Sequence, residues 1–516
     1  MKHSLICLAL TVVALPALAQ NPIVSHCFTA DPAPVVYEGN DSLYVYCDED
    51  MNVSGVHDFY YMDRYRVYST VDMVNWTDHG CAMPRTAFRW GREGTCWASQ
   101  CVRKGDRYYW YMCMSKPNDW RHFIGVGVSQ SPAGPFKDAK GTHLISLNEG
   151  GDIDPTVFID DDDKAYLYFG NNKLYYAILG TRMITAYRPV KVELTREAFG
   201  GVKKKDDSGK EYIDGTDCYE EGPWLDKRGD NYYLLYAAGG VPEHISYSMS
   251  KSPTGPWEYK GIVMSQDNNT GSFTNHSGMV KYKGKDYLFY HTAWAKGGGG
   301  FNRSMAVNEL TFNEDGTIKP VRATKSGVAP LCTLDPFLRQ QAETINTADG
   351  ISVVGNESTG VYVTDIHSGD YIKVRNVDFG EVAPKSLTVR VAKGSTNNVS
   401  LSVRYGSKTG TTIGSVRFGS TGGDDVWEEK TIELSRNITG VKDIFFTFSG
   451  TVQKDATTLF NFDWWKFNTA DETAIQRINM TDIEKNVAIY DVTGRRVVQP
   501  SCGVYIKGGK KISITK

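Results

Sequence analysis

The feature that most constrains the fold of this 516-residue chain is an internal repeat that runs almost to Pro330. Each unit contains a strand-like run, a polar turn and an aromatic strand, and successive units start about 60 residues apart. Second hairpins such as SQSPAGPFKDAKG and SKSPTGPWEYKG are near copies, so one unit holds about four strands, the content of a propeller blade. The five units start at Asp31, Trp97, Asp154, Glu221 and His276.

The repeat predicts an all-β chain with a five-bladed β-propeller over residues 20–330; an array of β-sandwiches is the weaker alternative. The innermost strand of each blade runs beside the central axis, so the five starting residues are expected to converge at one end of it. Three carboxylates, an indole and an imidazole would meet there. Unpaired buried carboxylates are costly, which favours catalysis, with a structural metal ion as the alternative.

Three carboxyl groups beside an aromatic wall are typical of glycoside hydrolysis. One carboxylic acid protonates the leaving oxygen, and another carboxylate activates water or attacks directly. A third acid nearby raises the pKa of the proton donor, because like charges disfavour ionisation. Trp97 offers a flat apolar face for a sugar ring, although packing alone would also explain an aromatic residue at this position.

Four blocks of the sequence resemble the signature blocks of glycoside hydrolase family 43, in order and spacing: TADPAPVVY, GDIDPTVFIDDD, EEGPWLDKRGDNYYLLYA and NHSGMVKYKGKDYLFYH. The resemblance implies a five-bladed propeller that hydrolyses glycosides with inversion. It also implies that Asp31 is the general base, Asp154 the pKa modulator and orienter, and Glu221 the general acid. His276 matches a histidine that helps to hold a calcium ion or water near the axis. Arg303, in FNRSMAV, resembles more loosely an arginine that reaches the substrate.

Inversion requires the two reacting carboxyl groups to lie about 6.5–9.5 Å apart, which leaves room for water. Blades one and four face each other across the axis, so the placement of Asp31 and Glu221 is consistent with inversion. Glu220 is adjacent to Glu221, and neighbours on a strand face opposite sides. Gly229 stands eight residues after Glu221, as Gly39 does after Asp31. This register predicts that Glu221 faces the axis and that Glu220 points into its blade or a neighbouring one.

Three other candidates are interpreted as structural. IDDDDKAY resembles a calcium loop but lacks the EF-hand spacing, which favours a solvated turn. KGGGGFN is followed by no helix, so it is expected to form a mobile loop near the site mouth rather than a phosphate cradle. His291 ends a strand and is expected to be structural.

A second module is predicted over residues 335–468, where alternating strands fit a β-sandwich of the jelly-roll type. QAE, SGDYIKVRNVDFG, SLTVRVAKG, TGGDDVWEE and FNFDWWKF resemble a family 6 carbohydrate-binding module. The resemblance implies that Gln341, Glu343 and Asp463 help to bind a structural calcium ion and that Asn461 is the asparagine of the sugar cleft.

The two aromatic residues of that cleft are replaced here by Asp365 and Asp424. Aromatic stacking carries much of the binding in such clefts. Two interpretations therefore stay open, a module that binds sugar and a sandwich that only supports the propeller.

The ends of the chain predict an exported protein. Residues 1–19 combine Lys2, an apolar stretch and a small-residue cleavage site, as signal peptides do. A periplasmic or secreted protein starting at Gln20 is expected, without a lipid anchor. No later apolar run reaches the roughly 18 residues of a membrane span. Residues 469–516 are expected to form a short β tail. It resembles the C-terminal modules of exported proteins, and is either a sorting signal or a degenerate remnant.

Composition limits the classes of partner and cofactor that the protein is expected to bind. A net charge of −3 gives no sign of nucleic-acid binding. Nine cysteines remain after residue 19, without a CxxC pair; one or two disulfides are expected, and Cys96 and Cys101 could be bridged. No organic cofactor is expected, calcium ions are predicted at the axis and in the sandwich, and the protein is expected to be monomeric.

The resulting prediction is an inverting hydrolase that removes α-L-arabinofuranosyl or β-D-xylosyl residues from plant cell-wall polysaccharides such as arabinoxylan or arabinan. An endo-acting arabinanase or xylanase and a galactosidase are alternatives within the same family. A non-catalytic carbohydrate-binding propeller and a retaining hydrolase of the related family 32 type also stay open. The choice of glycoside within the family depends on the loops between blades.

Overall fold

The computed structural model describes residues 20–469 except 57, 148–150, 267–269 and 455, together with short strands beyond residue 469. The predicted signal peptide, residues 1–19, lies outside the described residues. The chain is 51% strand and only 2% helical, which confirms the all-β prediction. In this described part, no helix has the length and apolar character that crossing a membrane requires.

Five antiparallel sheets form the blades of the predicted propeller. Blade one contains β1 (Ala30–Val36), β2 (Leu43–Asp48), β3 (Arg64–Thr70) and β4 (Trp76–Pro84), and a 3-10 helix follows at Arg85–Ala87. Blade two contains β5 (Trp97–Lys104), β6 (Arg107–Lys116), β7 (Asp119–Ser129) and β8 (Lys137–Asp138). Blade three contains β9 (Thr156–Ile159), β10 (Ala165–Phe169), β11 (Leu174–Ile178) and β12 (Val190–Val192).

A short helix and an inserted hairpin separate blades three and four: α1 (Arg196–Phe199), β13 (Gly201–Lys205) and β14 (Glu211–Gly215). Blade four contains β15 (Tyr219–Arg228), β16 (Asn231–Ala238), β17 (His244–Ser250) and β18 (Glu258–Met264). Blade five contains β19 (Gly278–Tyr282), β20 (Lys285–Thr292) and β21 (Ser304–Leu310).

Blade five departs from the expected four strands, because its described sheet has only three. The first residues of the propeller cover its outer edge instead. The backbone N–H of Ile23 donates to the carbonyl of Met305 over 2.9 Å, and the Asn21 amide exchanges two hydrogen bonds with the backbone of Val307. The start of the chain therefore completes the last blade.

The inner strands β1, β5, β9, β15 and β19 surround the axis, and β1 packs against β19 to close the ring. Aromatic side chains fill the space between blades. Tyr46 of blade one and Trp110 of blade two are fully buried, and their rings meet edge to face with centroids 4.7 Å apart. Much of the aromatic content thus stabilises the contacts between blades.

The second module is a sandwich of a six-stranded and a five-stranded sheet around its own apolar core. Its eleven strands are β22 (Gln340–Gln341), β24 (Thr347–Asp349), β25 (Ser352–Asn356), β26 (Gly360–Thr364), β27 (Tyr371–Asp378), β28 (Ser386–Lys393), β29 (Val399–Tyr405), β30 (Thr411–Phe418), β31 (Gly423–Glu433), β32 (Val441–Ser449) and β33 (Asn461–Asn468), and the short β23 (Thr344–Ile345) lies between β22 and β24 in the chain. One further sheet contains β34 (Gln476–Asn479), β35 (Ile489–Asp491), β36 (Arg496–Val497), β37 (Gly503–Lys507) and β38 (Lys510–Thr515).

The strand β23 does not join either sheet of the sandwich but pairs with β4, the outer strand of blade one. Beside it, the Asn75 amide donates to the carbonyl of Arg375 over 2.8 Å and accepts from the N–H of Arg375 over 2.9 Å. The two modules therefore share a sheet and a buried hydrogen-bond contact.

The expected disulfide is wrong for the described residues, because eight cysteines there are free thiols, including Cys96 and Cys101. The strand β5 begins at Trp97 and is extended, so Cys101 lies roughly 13 Å from the start of the strand. Bridged cysteines have Cα atoms about 5.5–6 Å apart.

Candidate active site

A pocket of about 140 Å³ opens at the axial end where the inner strands begin. Its walls include all five residues that start the sequence repeats, and Arg303, Phe59 and Tyr60 also line it. The structure therefore brings together the predicted propeller residues: Asp31, Trp97, Asp154, Glu221, His276 and Arg303. The four remaining candidates lie in the sandwich: Gln341, Glu343, Asn461 and Asp463.

Irregular backbone aims the three carboxyl groups at the axis. Asp31 and Asp154 have φ angles of 50° and 56°, in the left-handed region that non-glycine residues rarely adopt. The strand β1 has a register shift between Ala30 and Ala33, and β15 has shifts on both sides of Glu221. Such bulges re-aim a side chain, and they are common next to active sites.

Asp31 is surrounded by cationic and imidazole groups. Its Oδ1 accepts a hydrogen bond from Arg303 Nη1 over 3.0 Å and lies 3.1 Å from His291 Nδ1 and 3.9 Å from His276 Nδ1. Burial alone would raise the pKa of Asp31, but Arg303, the contact with His291 and the nearby His276 hold it well below its usual range. A carboxylate that stays ionised in this way suits a general base.

Glu221 has the opposite character. Burial raises its pKa, and the charges of Asp31 and Glu220 raise it further, whereas the amide of Asn171 donates to Oε2 and lowers it. A carboxyl group that keeps its proton suits a general acid. Glu220 points away from the pocket and contacts Lys203 of the β13–β14 hairpin, as the repeat register predicts.

Asp154 lines the same pocket as Asp31 and Glu221. Its Oδ2 accepts a hydrogen bond from the N–H of Gly222, the residue after Glu221, over 3.0 Å. Burial raises the pKa of Asp154 well above its ordinary value, and the charges of Glu221 and Asp31 add to this shift. Asp154 is thus placed to orient the segment that carries the candidate acid and to interact with its charge.

Trp97 forms one wall of the pocket. Its indole stacks against His122 with centroids 4.1 Å apart, and Phe59 lies 6.4 Å away. Phe301, from the glycine-rich segment, meets Tyr60 with centroids 4.9 Å apart. The glycine-rich segment therefore lies beside the pocket, and its mobility stays a prediction.

Three residues of this site could not be assigned from the sequence. His291 was expected to be structural, yet it contacts Asp31 and donates through Nε2 to the carbonyl of Thr274 over 2.7 Å. Asp50 binds Arg303, and Asn171 binds Glu221. The repeat register gives no signal for them, because Asp50 and Asn171 follow strands and His291 lies near the end of β20, none of them at a repeat start.

The axial residues suit a calcium ion poorly. Burial lowers the pKa of His276 to about 4, so its imidazole is neutral. Calcium takes roughly six to eight oxygen ligands, whereas this residue offers nitrogen and the nearby Asp31 is already bound by Arg303.

The sandwich residues fit calcium better. Glu343 is 3% exposed, and its Oε2 is a buried oxygen with no hydrogen-bond partner among the described residues. Burial raises the pKa of Glu343, and the nearby charge of Asp463 raises it further. Asp463 also contacts Arg390, and Gln341 pairs with Trp464 on the adjacent strand. Two carboxyl groups and an amide oxygen are the hard ligands that calcium prefers.

The predicted sugar cleft of the sandwich is closed around Asn461. Its amide donates to the carbonyl of Asp424 over 2.8 Å and accepts from the hydroxyl of Thr364 over 2.7 Å. Asp365 follows Thr364 and is half exposed. Internal hydrogen bonds therefore use both ends of the Asn461 amide, and its contact with sugar stays a prediction.

Two family models match the chain. The one for glycosyl hydrolases family 43 covers residues 19–318, and the one for the family 6 carbohydrate binding module covers residues 341–469. An arabinoxylan arabinofuranohydrolase of Bacillus subtilis is 32% identical over 504 residues, covering 89% of this chain and 94% of the relative. Another, from Paenibacillus polymyxa, is 30% identical over 535 residues, covering 94% and 79%.

A solved structure is similar over most of both chains. It is a family 43 arabinoxylan arabinofuranohydrolase from Bacillus subtilis in complex with cellotetraose, with a TM-score of 0.72 and 28% identity. The match covers 88% of this chain and 99% of that one. The five-bladed propeller, the converging carboxyl groups and these matches agree, and the chain belongs to glycoside hydrolase family 43.

Proposed function

We propose that this protein is an inverting glycoside hydrolase that removes α-L-arabinofuranosyl residues from arabinoxylan, with β-D-xylosyl residues as the alternative. One observation carries the proposal: a single small pocket holds a carboxylate with a lowered pKa, Asp31, and a carboxyl with a raised pKa, Glu221. The similar proteins named above act on arabinoxylan according to their descriptions, which supports this choice of substrate.

The size of the pocket supports removal of a single sugar. Its 140 Å³ is about five times the roughly 30 Å³ that a water molecule occupies in the liquid, so the pocket is small on the scale of a polysaccharide. A long chain does not fit inside, so the cleaved residue would be a terminal or branching unit. This favours an exo-acting or debranching enzyme over an endo-acting one.

The reaction follows from the two protonation states. Asp31 accepts a proton from water as that water attacks the anomeric carbon, and Glu221 donates its proton to the leaving oxygen. Asp154 holds Gly222 through a hydrogen bond and keeps Glu221 next to another carboxyl group. Afterwards Glu221 takes a proton from solvent and Asp31 releases one. Trp97 supplies an apolar face for the sugar ring.

Three further assignments are part of the proposal. The signal-like residues 1–19 support export to the periplasm or medium. The donor set of Gln341, Glu343 and Asp463 supports a structural calcium ion in the sandwich. The protein acts as a monomer without an organic cofactor, and its polymeric partner is the plant polysaccharide itself.

The test combines substrates, stereochemistry and variants. The purified protein is assayed on nitrophenyl arabinofuranoside and xyloside, arabinoxylan and arabinan, and NMR identifies the first-formed anomer. Release of arabinose with inverted configuration is expected, and Asp31→Asn is expected to abolish it while circular dichroism stays unchanged. Retained configuration, binding without turnover, or near-normal activity of Asp31→Asn would each contradict the proposal.

A further inference from the structure

Asp50 holds Arg303 at three points. It lies two residues after β2 and is 2% exposed. Its Oδ2 accepts from the backbone N–H of Arg303 over 2.7 Å and from Nε over 2.9 Å, and its Oδ1 accepts from Nη2 over 2.9 Å. Both the main chain and the side chain of the arginine are therefore fixed by one carboxylate.

These three hydrogen bonds leave Nη1 of the guanidinium group free to bind the candidate base, Asp31. Because the group is planar, fixing Nε and Nη2 also fixes the direction of Nη1. Nη1 donates to Asp31 Oδ1 over 3.0 Å. The ring of Tyr60 lies against the guanidinium carbon, with its centroid 4.5 Å away, which restricts tilting of the plane. Asp50 thus sets where the positive charge meets Asp31.

We infer that Asp50 is a positioning residue for the general base: acting through Arg303, it keeps Asp31 ionised and correctly aimed. The inference rests on the proposed function, in which Asp31 is the base. A lysine at position 303 could supply a similar positive charge next to a carboxylate. It could not form the two parallel hydrogen bonds with Asp50 that orient Nη1.

Other titratable groups also face Asp31, and among the described ones Arg303 is the single permanent cation. The carboxyl groups are Asp48, Asp154 and Glu221, and the imidazoles are His276 and His291. Phenols and a thiol come from Tyr60, Tyr65 and Cys113. Moving the arginine therefore takes the permanent positive charge away from Asp31.

Asp48 provides a matched control because it lies beside the same arginine without gripping it. Its Oδ2 is 3.6 Å from Arg303 Nη2, and neither carboxyl oxygen has a hydrogen-bond partner among the described residues. Burial raises the pKa of Asp48 well above its ordinary value, and the charge of Asp31 raises it further. A neutral amide is therefore close in charge and shape to Asp48 as it stands, but not to Asp50.

The experiment measures kcat/KM against pH for the full-length protein, Asp50→Asn and Asp48→Asn on one soluble arabinoside. Asp50→Asn is expected to move the acid limb upward by about one pH unit or more, which is a roughly tenfold loss of kcat/KM on that limb. The direction follows because the base must be ionised and a less well-held arginine raises its pKa. Asp48→Asn is expected to leave the limb in place.

The single variant Arg303→Lys keeps the inference testable if Asp50→Asn fails to fold, and a double-mutant cycle tests the pair where both variants fold. Arg303→Lys alone should move the acid limb in the same direction, and adding Asp50→Asn should shift it no further. A folded Asp50→Asn with an unmoved limb, or an unmoved limb in Arg303→Lys, would overturn the inference. An inactive wild-type protein would instead contradict the proposed function, so the two failures are distinguishable.

Discussion

Glu220 and Glu221 are neighbours in the chain, yet Glu220 contacts Lys203 of an inserted hairpin whereas Glu221 lines the pocket. The register shifts on both sides of Glu221 separate the two side chains. A glycine stands eight residues after four of the five repeat starts, and Gly229 in this register predicted which glutamate faces the axis. The repeat register therefore predicted the placement of Glu221, which composition alone could not do.

Substitution of the two glutamates should give very different results. Glu221→Gln is expected to lower kcat on arabinoxylan by about 10²–10⁴-fold, because the leaving oxygen loses its proton donor. It should retain far more activity on a nitrophenyl arabinoside, whose leaving group needs little protonation. Steady-state kinetics on both substrates measure this difference.

Glu220→Gln is the control for this pair. It removes a charge next to Lys203 without touching the pocket, so less than about a tenfold loss on either substrate is expected. Equal losses in the two variants would contradict the assignment of Glu221 as the acid.

Asn171 should set the alkaline limb of the pH profile. Its amide donates to Glu221 and favours the ionised form, so Asn171→Ala should raise the pKa of the acid further. Since the acid must be protonated, activity should then persist to higher pH. A kcat/KM profile with an unmoved or lowered alkaline limb would show that this hydrogen bond has no influence on the acid.

The site could be predicted from the sequence as far as the repeat reached. Each residue at a repeat start lies in the pocket, because equivalent strands place equivalent residues around the axis. Asp50, Asn171 and His291 could not be found in this way, since none of them stands at a repeat start. Their contacts with Arg303, Glu221 and Asp31 become visible only in three dimensions.

At the scale of elements, the blade content was predictable and the links between modules were not. Alternating aromatic strands and glycine turns indicated four-stranded units, which four of the five blades have. The strand β23 is only two residues long, so no periodicity marks it. Its partner β4 is the outer strand of blade one and ends 260 residues before β23 begins, so no local pattern reveals the pairing.

Asn75 tests the contact between propeller and sandwich. Asn75→Ala would remove both hydrogen bonds between the Asn75 amide and the buried backbone of Arg375, at a cost of about 1–3 kcal/mol. The apparent Tm should fall by several degrees, and calorimetry should show a broader or split transition as the modules uncouple. Asn313→Ala, which removes an exposed bond to Thr317, is the matched control. Equal Tm values for both variants would contradict a stabilising contact.

At the scale of the whole molecule, Glu343 is expected to couple stability to pH and, through the proposed ion site, to calcium. Its folded pKa is raised by burial, so its contribution to stability is complete below the unfolded value of about 4.3 and is lost as pH rises through the folded value. Without calcium, the apparent Tm is expected to fall between pH 5 and pH 8, and added calcium should restore it at pH 8.

Glu343→Gln separates these effects. The amide cannot ionise, so the variant should lose less stability at pH 8 and should gain little from calcium. Differential scanning fluorimetry with calcium or a chelator gives both readouts. A wild-type protein whose Tm is the same with and without calcium at pH 8 would contradict the proposed ion site.

Completion of the last blade by the first residues has a consequence for how the molecule is made. The bonds between Asn21 and Val307 join residues 286 positions apart. During synthesis the segment around Asn21 is therefore expected to stay unpaired until blade five has been made. Contacts over such distances form slowly, because a large loop must close first. The propeller is therefore expected to become protease-resistant only after its last blade has been synthesised.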